Sequence, residues 1–178
     1  WVLVDAVGAA PPWLATAPLI GLHPVKEARD GGAELLLSQR TRLVLRVPRD
    51  RAADAEALAG RELRIGDGWL QLGVAQRREL LPWGTLFSHC VAALADDELA
   101  FLGAVQAELD ALGVVDRAIC GLPRRGAAGE LRGYGLMVDH LTPQDSLQLQ
   151  AHGIGAGRRF GYGLFVPHKS AAAVGAAA

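Results

Sequence analysis

The segment Thr85-Leu-Phe-Ser-His-Cys-Val-Ala-Ala-Leu94 is apolar, carries Thr, Phe and Val, and reads as a strand. Asp96–Leu112 follows as a helix. Its acids sit in the first turn, where the helix dipole favours them, and Gly113 stands just past its end. Further on, Ala118–Leu122 reads as a strand, Pro123–Gly129 as a loop bearing arginines and glycines, and Leu131–Val138 as a returning strand. Thr142-Pro143-Gln144-Asp145 opens a second helix: threonine caps, proline takes the first helical position, and aspartate completes a capping box. Gly153 ends that helix, and Phe160–Val166 reads as the last strand. The order is β-α-β-β-α-β, the split βαβ of a ferredoxin-like fold.

The first half gives the same order with one defect. Val2–Val7, Leu22–Ala28, Ala33–Leu37 and Arg42–Val47 have strand character, with Asp30-Gly31-Gly32 as a turn. Arg51–Ala59 is alanine-rich and helical, closed by Gly60. Glu62–Val74 bends as a strand pair around Gly66-Asp67-Gly68. Where a first helix belongs, Gly8-Ala-Ala-Pro-Pro-Trp13 intervenes, and Pro11-Pro12 cannot lie inside a helix. Either that helix is reduced to a turn or a segment is missing; an opening Trp1 in place of methionine fits an incomplete chain. The expected class is α+β, two tandem ferredoxin-like (RRM-like) domains over 1–78 and 79–170, with a weakly ordered tail over 171–178.

Composition narrows the setting. Hydrophobic residues make up 51% of the 178, enough for a buried core. Cys90 and Cys120 both lie in apolar runs, which points to a reduced, cytoplasmic protein without a disulfide framework or zinc site. No signal peptide or membrane-spanning run is evident, so no membrane partner is expected. The net charge of −1 is unusual for a nucleic-acid binder, but it is unevenly placed. Residues 1–113 hold 11 Lys+Arg against 15 Asp+Glu; residues 114–178 hold 7 against 4. The basic excess therefore falls in the second half.

That half contains Gly153-Ile-Gly-Ala-Gly-Arg-Arg-Phe-Gly-Tyr-Gly163, five glycines in eleven residues. A dinucleotide fingerprint fails, because Arg158 or Phe160 stands where its third glycine belongs. The loop also follows a helix and feeds a strand, the reverse of the required order. A Walker-type loop fails for want of Gly-Lys-Ser/Thr. Two readings remain open. One is a bare backbone whose N–H groups at Gly153, Gly155, Gly157, Gly161 and Gly163 approach phosphates, with Arg158 and Arg159 adding charge. The other is a glycine-bulged entry into a twisted strand.

The glycine run with the following Leu164-Phe-Val-Pro-His-Lys-Ser170 resembles the C-terminal signature of the RAMP superfamily. It is most similar to the compact type I CRISPR repeat-processing endoribonucleases. Gly21-Leu-His-Pro24, Thr41–Pro48, Gly121-Leu-Pro-Arg-Arg125 and Leu141–Gln150 resemble further segments of that subgroup, in the right order. The resemblance implies two ferredoxin-like domains and cleavage of precursor CRISPR RNA beside a repeat stem-loop. It also implies retention of the guide RNA and contact with other subunits of an effector complex. Family members cut without metal or cofactor, using the ribose 2′-OH as nucleophile; this sequence likewise has no HExxH, CxxC pair or clustered carboxylates to hold a metal.

Such a cut needs a proton carrier near neutral pH and cations for the phosphate. The family's catalytic histidines lie at or near the first helix, which makes His23 the catalytic candidate; the alternative is a histidine that structures the turn before Pro24. His168 stands second and can equally be a polar strand end. His152 can contact RNA or cap its helix, His89 reads as core, and His140 as a turn residue. A second family histidine is expected in the first helix and is not evident here. RNA-binding candidates are Arg158, Arg159, His168 and Lys169 near the glycine loop, Arg124, Arg125 and Arg132 at the hairpin, and Arg77 and Arg78 where the halves join. Arg124-Arg125 can equally be a solvated loop, and Arg77-Arg78 linker charge. Phe160 and Tyr162 alternate in the expected last strand, one toward a base and one toward the core. A non-catalytic RNA-binding subunit of a CRISPR effector or transposon-linked complex would share all these arginines. A generic ferredoxin-like interaction or small-molecule-binding domain is the third reading.

Overall fold

A computed structural model describes residues 12–25, 30–31, 34–35, 41–65, 68–94, 96–114, 117–125 and 131–169. The strand expected at Val2–Val7, the Gly66-Asp67 turn and the 171–178 tail lie outside these residues. The chain divides into two units: Trp1–Arg77 with Arg159–Gly161, and Arg78–Arg158 with Tyr162–Ala178.

In the first unit, helix α1 spans only Pro12–Thr16, five residues. Pro12 is its first residue, where a missing N–H costs nothing. The two-residue strand β1 (Gly21–Leu22) pairs antiparallel with β4 (Leu45–Arg46), and β2 (Asp30–Gly31) with β3 (Glu34–Leu35). The alternation over Arg42–Val47 thus overstates the strand: only two of its residues are laddered. Asp30 and Gly31, read as a turn, are strand residues. A 3-10 turn, Arg49–Arg51, leads into α2, Ala52–Glu56. Gly60 follows at φ 76, as the sequence leads one to expect of a residue ending a helix. The hairpin β5 (Glu62–Ile65) and β6 (Gly68–Gln71) closes the unit over a small core of Leu14, Ile20, Leu58 and Leu63.

The second unit is β7 (Thr85–Ala92), α3 (Glu98–Ala111), β8 (Arg117–Arg125), β9 (Leu131–Asp139), α4 (Pro143–His152) and β10 (Phe165–Pro167). The sheet runs β10-β7-β9-β8 and is antiparallel throughout. Asp97 caps α3 by accepting from the backbone N–H groups of Leu99 and Ala100. Thr142 caps α4 by accepting from Asp145. Leu86, Leu136, Val138 and Phe165 from the sheet meet Phe101, Val105, Leu109 and Leu149 from the helices in one core. Thr85 and Asp139, both buried, bond across the central strands at 2.5 Å.

Three expectations change here. Arg124 and Arg125 lie in β8, not in a loop, because the ladder continues past two register shifts. Pro123 is accommodated because β8 is an edge strand. Next, β10 is only Phe165–Pro167, so Phe160 and Tyr162 do not alternate in a strand. Arg158–Phe160 is a 3-10 turn, and glycines at positive φ before and after it break extended geometry. Lastly, a register shift between Ser88 and Val91 leaves His89 exposed rather than in the core.

Leu136→Ala should cost about 2–5 kcal/mol, and Thr142→Ala about 1 kcal/mol. Urea unfolding followed by circular dichroism would measure both, and near-equal losses would contradict the burial of Leu136 in this core.

Candidate nucleic-acid interface

His23 directly follows β1 and is partly buried. Its backbone N–H donates to the Val44 carbonyl at 3.0 Å, extending the β1–β4 ladder by one bond. Pro24 cannot donate, so the ladder stops there. Within the same unit, Gly161 sits at φ 87 against this turn. A Cβ on it would lie 2.8 Å from two ring carbons of Pro24 and 3.3 Å from the Leu22 carbonyl oxygen. The structure therefore brings Gly161 of the loop tip onto the segment that carries His23, with exposed Arg159 assigned to the same unit.

The rest of the loop closes on its own unit. The Gly153 N–H donates to Leu149 O, Ile154 to Gly163 O, Tyr162 to Gly157 O, and Gly163 to the Cys90 carbonyl of β7. The Gly155 N–H donates to the Glu108 carboxylate of α3 at 2.7 Å. The Gly153, Gly155 and Gly163 amides are among those that one of the two readings set against phosphates. Instead they bond within the protein, and a carboxylate already holds the place that an anion would take at Gly155. Arg158 is partly buried and turns back to α4, donating to the Ala151 carbonyl at 2.9 Å and to that of His152. It binds the helix C-terminus, where carbonyls lack helical partners and a cation is favoured. Burial pushes its pKa down without depriving it of charge. Gly153 is required beside it, since a Cβ there would lie 2.2 Å from an Arg158 nitrogen.

The other basic candidates separate in the same way. Arg124 lies partly buried and donates from Nε to the His89 carbonyl at 3.2 Å. Burial first, then Arg124, lowers the pKa of the His89 imidazole. Arg125 pairs with Asp96 at 2.5 Å, and Tyr134 donates to the same carboxyl at 3.2 Å. The Arg125 bond holds the Asp96 carboxyl below its usual value. Nothing in the sequence spacing singles out this Asp96–Arg125–Tyr134 cluster, because its members are brought together only by the strand register. Arg132, on β9, is exposed, as are Arg77 and Arg78 at the point where the two units divide. His168 is exposed, with its ring 5.4 Å from that of Phe87, its Nδ1 2.6 Å from the Lys169 carbonyl, and its backbone N–H on Thr85 O. Lys169 is exposed beside it. His152, at the end of α4, bonds to the Gln148 carbonyl, and His140 is exposed at φ 66 beside Asp139.

A family model described as Cas6 Crispr matches residues 1–170. The chain belongs to the Cas6 family. A CRISPR-associated endonuclease Cas6 of Myxococcus xanthus (strain DK1622) is 35% identical to it over 144 residues. That match takes in 79% of this Cas6 chain, which spans 63% of the relative's length. A solved structure from the characterization of a Cas6-related gene of Pyrococcus furiosus superposes with a TM-score of 0.58 at 14% identity, over 95% of this chain and 88% of the other. That likeness concerns the Cas6 fold. The α+β class and the family resemblance read from the residues both hold. Among the described residues of this Cas6 chain, no helix is long and apolar enough to cross a membrane.

Arg158→Ala should lower the stability of the second unit by about 1–3 kcal/mol, through the α4 carbonyls left without a donor. Thermal unfolding of Arg158→Ala beside Arg159→Ala measures this; equal melting points would show that the Arg158 contacts contribute nothing.

Proposed function

We propose that this chain is a metal-independent endoribonuclease that binds CRISPR repeat stem-loop RNA, cuts the precursor and retains the guide RNA for other subunits of an effector complex. The observation that carries the reading is the seating of Gly161 against Pro24, which sets Arg159 and the His23 turn in one unit. Membership of the Cas6 family supports it.

In this reading the 2′-hydroxyl oxygen attacks the adjacent phosphorus. The O2′–P bond forms as the P–O5′ bond breaks. The hydroxyl proton leaves to a base, and a proton reaches the departing 5′ oxygen. The products are a 2′,3′-cyclic phosphate and a 5′-hydroxyl. His23 serves as a proton carrier, and Arg159 holds charge on the phosphate. Lys169, His168, Arg132, Arg77 and Arg78, all exposed, are further candidate contacts for the RNA backbone, each within its own unit.

A non-catalytic RNA-binding subunit is the second reading. One observation favours it: the short α1, Pro-Trp-Leu-Ala-Thr, carries no histidine. Incubating the protein with its repeat RNA in EDTA separates the two. Cutting to a cyclic phosphate end supports the enzyme, and tight binding without cutting supports the subunit. His23→Ala should slow cutting by about 100-fold or more while binding persists; unaltered cutting would remove His23 from the chemistry. Arg159→Ala should reduce the slope of log affinity against log salt by about one. An unchanged slope, read by fluorescence anisotropy across a salt series, would take Arg159 off the phosphates.

A further inference from the structure

A pocket of about 420 Å³ opens in the first unit, at the end of the β1–β4 ladder away from His23. We infer that it holds one unpaired nucleobase of the bound RNA, beside the nucleotide at which His23 acts. This inference rests on the RNA-binding reading above.

The lining supports a flat aromatic guest. Trp13, Pro18 and Pro48 supply an indole and two pyrrolidine rings, and Leu19 completes the apolar wall. Bases stack on such surfaces without regard to sequence. The rim adds Asp50 and Arg51, an acceptor-only carboxylate and a donor-only guanidinium. An aliphatic guest would use neither group. A phosphate would be repelled by Asp50. A base carrying an exocyclic amine satisfies both groups, giving protons to the carboxylate and accepting from the guanidinium through its ring nitrogens or carbonyl. Arg51 is steadied for this by its pairing with Asp54 at 2.9 Å. Leu19 stands at φ 60, a conformation that costs energy for a branched side chain and marks sites fixed by their surroundings.

Position gives the pocket its place on the RNA. Leu19 precedes β1 and Pro48 follows β4, so the two face each other at one end of the ladder, while His23 meets Val44 at the other. Ile20 and the two laddered residues Gly21 and Leu22 stand between Leu19 and His23, so the pocket and the histidine lie at opposite ends of the ladder. That placement suits a neighbour of the reacting nucleotide.

The test uses full-length protein and its own repeat RNA, with each single-stranded position changed in turn to an abasic residue or to uracil. One position near the cut should lose about ten-fold in affinity when abasic, and less when uracil. Trp13→Ala should bind the native RNA about ten-fold more weakly and no longer register the abasic change. Trp13 also packs on the small core, so Asp50→Asn, at an exposed side chain, provides the independent variant. It should keep the abasic effect and lose discrimination against uracil. If wild-type protein binds every abasic RNA equally while overall affinity and the Arg159 salt slope hold, the base pocket is wrong and the RNA-binding reading stands. If Asp50→Asn still discriminates against uracil, the assigned base edge is wrong. If no repeat RNA is bound at all, the reading beneath the inference falls with it.

Discussion

The backbone of Gly163 lies against that of Ile154 so closely that a Cβ on it would be 1.9 Å from the Ile154 carbonyl oxygen. Its N–H donates to the Cys90 carbonyl of β7, and Ile154 is fully buried. These contacts pin the base of the glycine loop to the sheet at a point where only glycine fits, at φ 61. From that anchor the chain has one short excursion, the turn Arg158–Phe160, before it must return to pair β10 with β7. The loop's geometry follows from this closure. Arg158 folds back onto the carbonyls of α4, while Arg159 and Phe160 remain at the exposed tip.

The second unit was legible in the sequence because its signals are local and agree with one another. Asp97 and Thr142 cap the helices that their side chains announce, and Gly113 and Gly153 stand at positive φ just past the helix ends. What local signals could not give was register. The shifts between Ser88 and Val91 and between Cys120 and Pro123 are set by how three strands meet. They turn His89 outward and carry Arg124 and Arg125 into β8. In the first unit, alternation over Arg42–Val47 promised a longer strand, but a ladder needs a partner of equal length. Gly21–Leu22 offers two residues and one further bond from His23 before Pro24 ends it. The short α1 was legible only as a defect, because proline marks where a helix can start as well as where it cannot continue.

Arginine count misled in a different way. In a sequence every arginine is an equal candidate for phosphate. In the fold each is sorted by the acceptors within its reach. Arg158 meets two carbonyls, Arg124 one, and Arg125 a carboxylate that offsets its charge. A guanidinium already engaged gains less from a phosphate, since bonds must be exchanged rather than added. The modest basic excess of residues 114–178 therefore overstates the charge available to a polyanion there. Arg159 and Lys169, both exposed, keep more of theirs.

The glycine run also changes meaning once its contacts are known. Five glycines beside two arginines suggest a cradle of amides for phosphate. Yet the N–H groups of Gly153, Gly155 and Gly163 all bond within the protein, one of them to the Glu108 carboxylate. Glycine is needed here because there is no room for a side chain. Gly153 makes way for the Arg158 guanidinium, Gly163 for Ile154, and Gly161 for the ring of Pro24. The last of these sets the loop against the segment of the proposed proton carrier, where the His23 backbone N–H bonds to Val44 and the Pro24 ring abuts Gly161. Fixing the backbone on both sides of His23 narrows the positions open to the proposed proton carrier. Gly161 thus seats the loop tip against the segment of the proposed proton carrier, while Gly153 and Gly163 close the loop's base within the second unit.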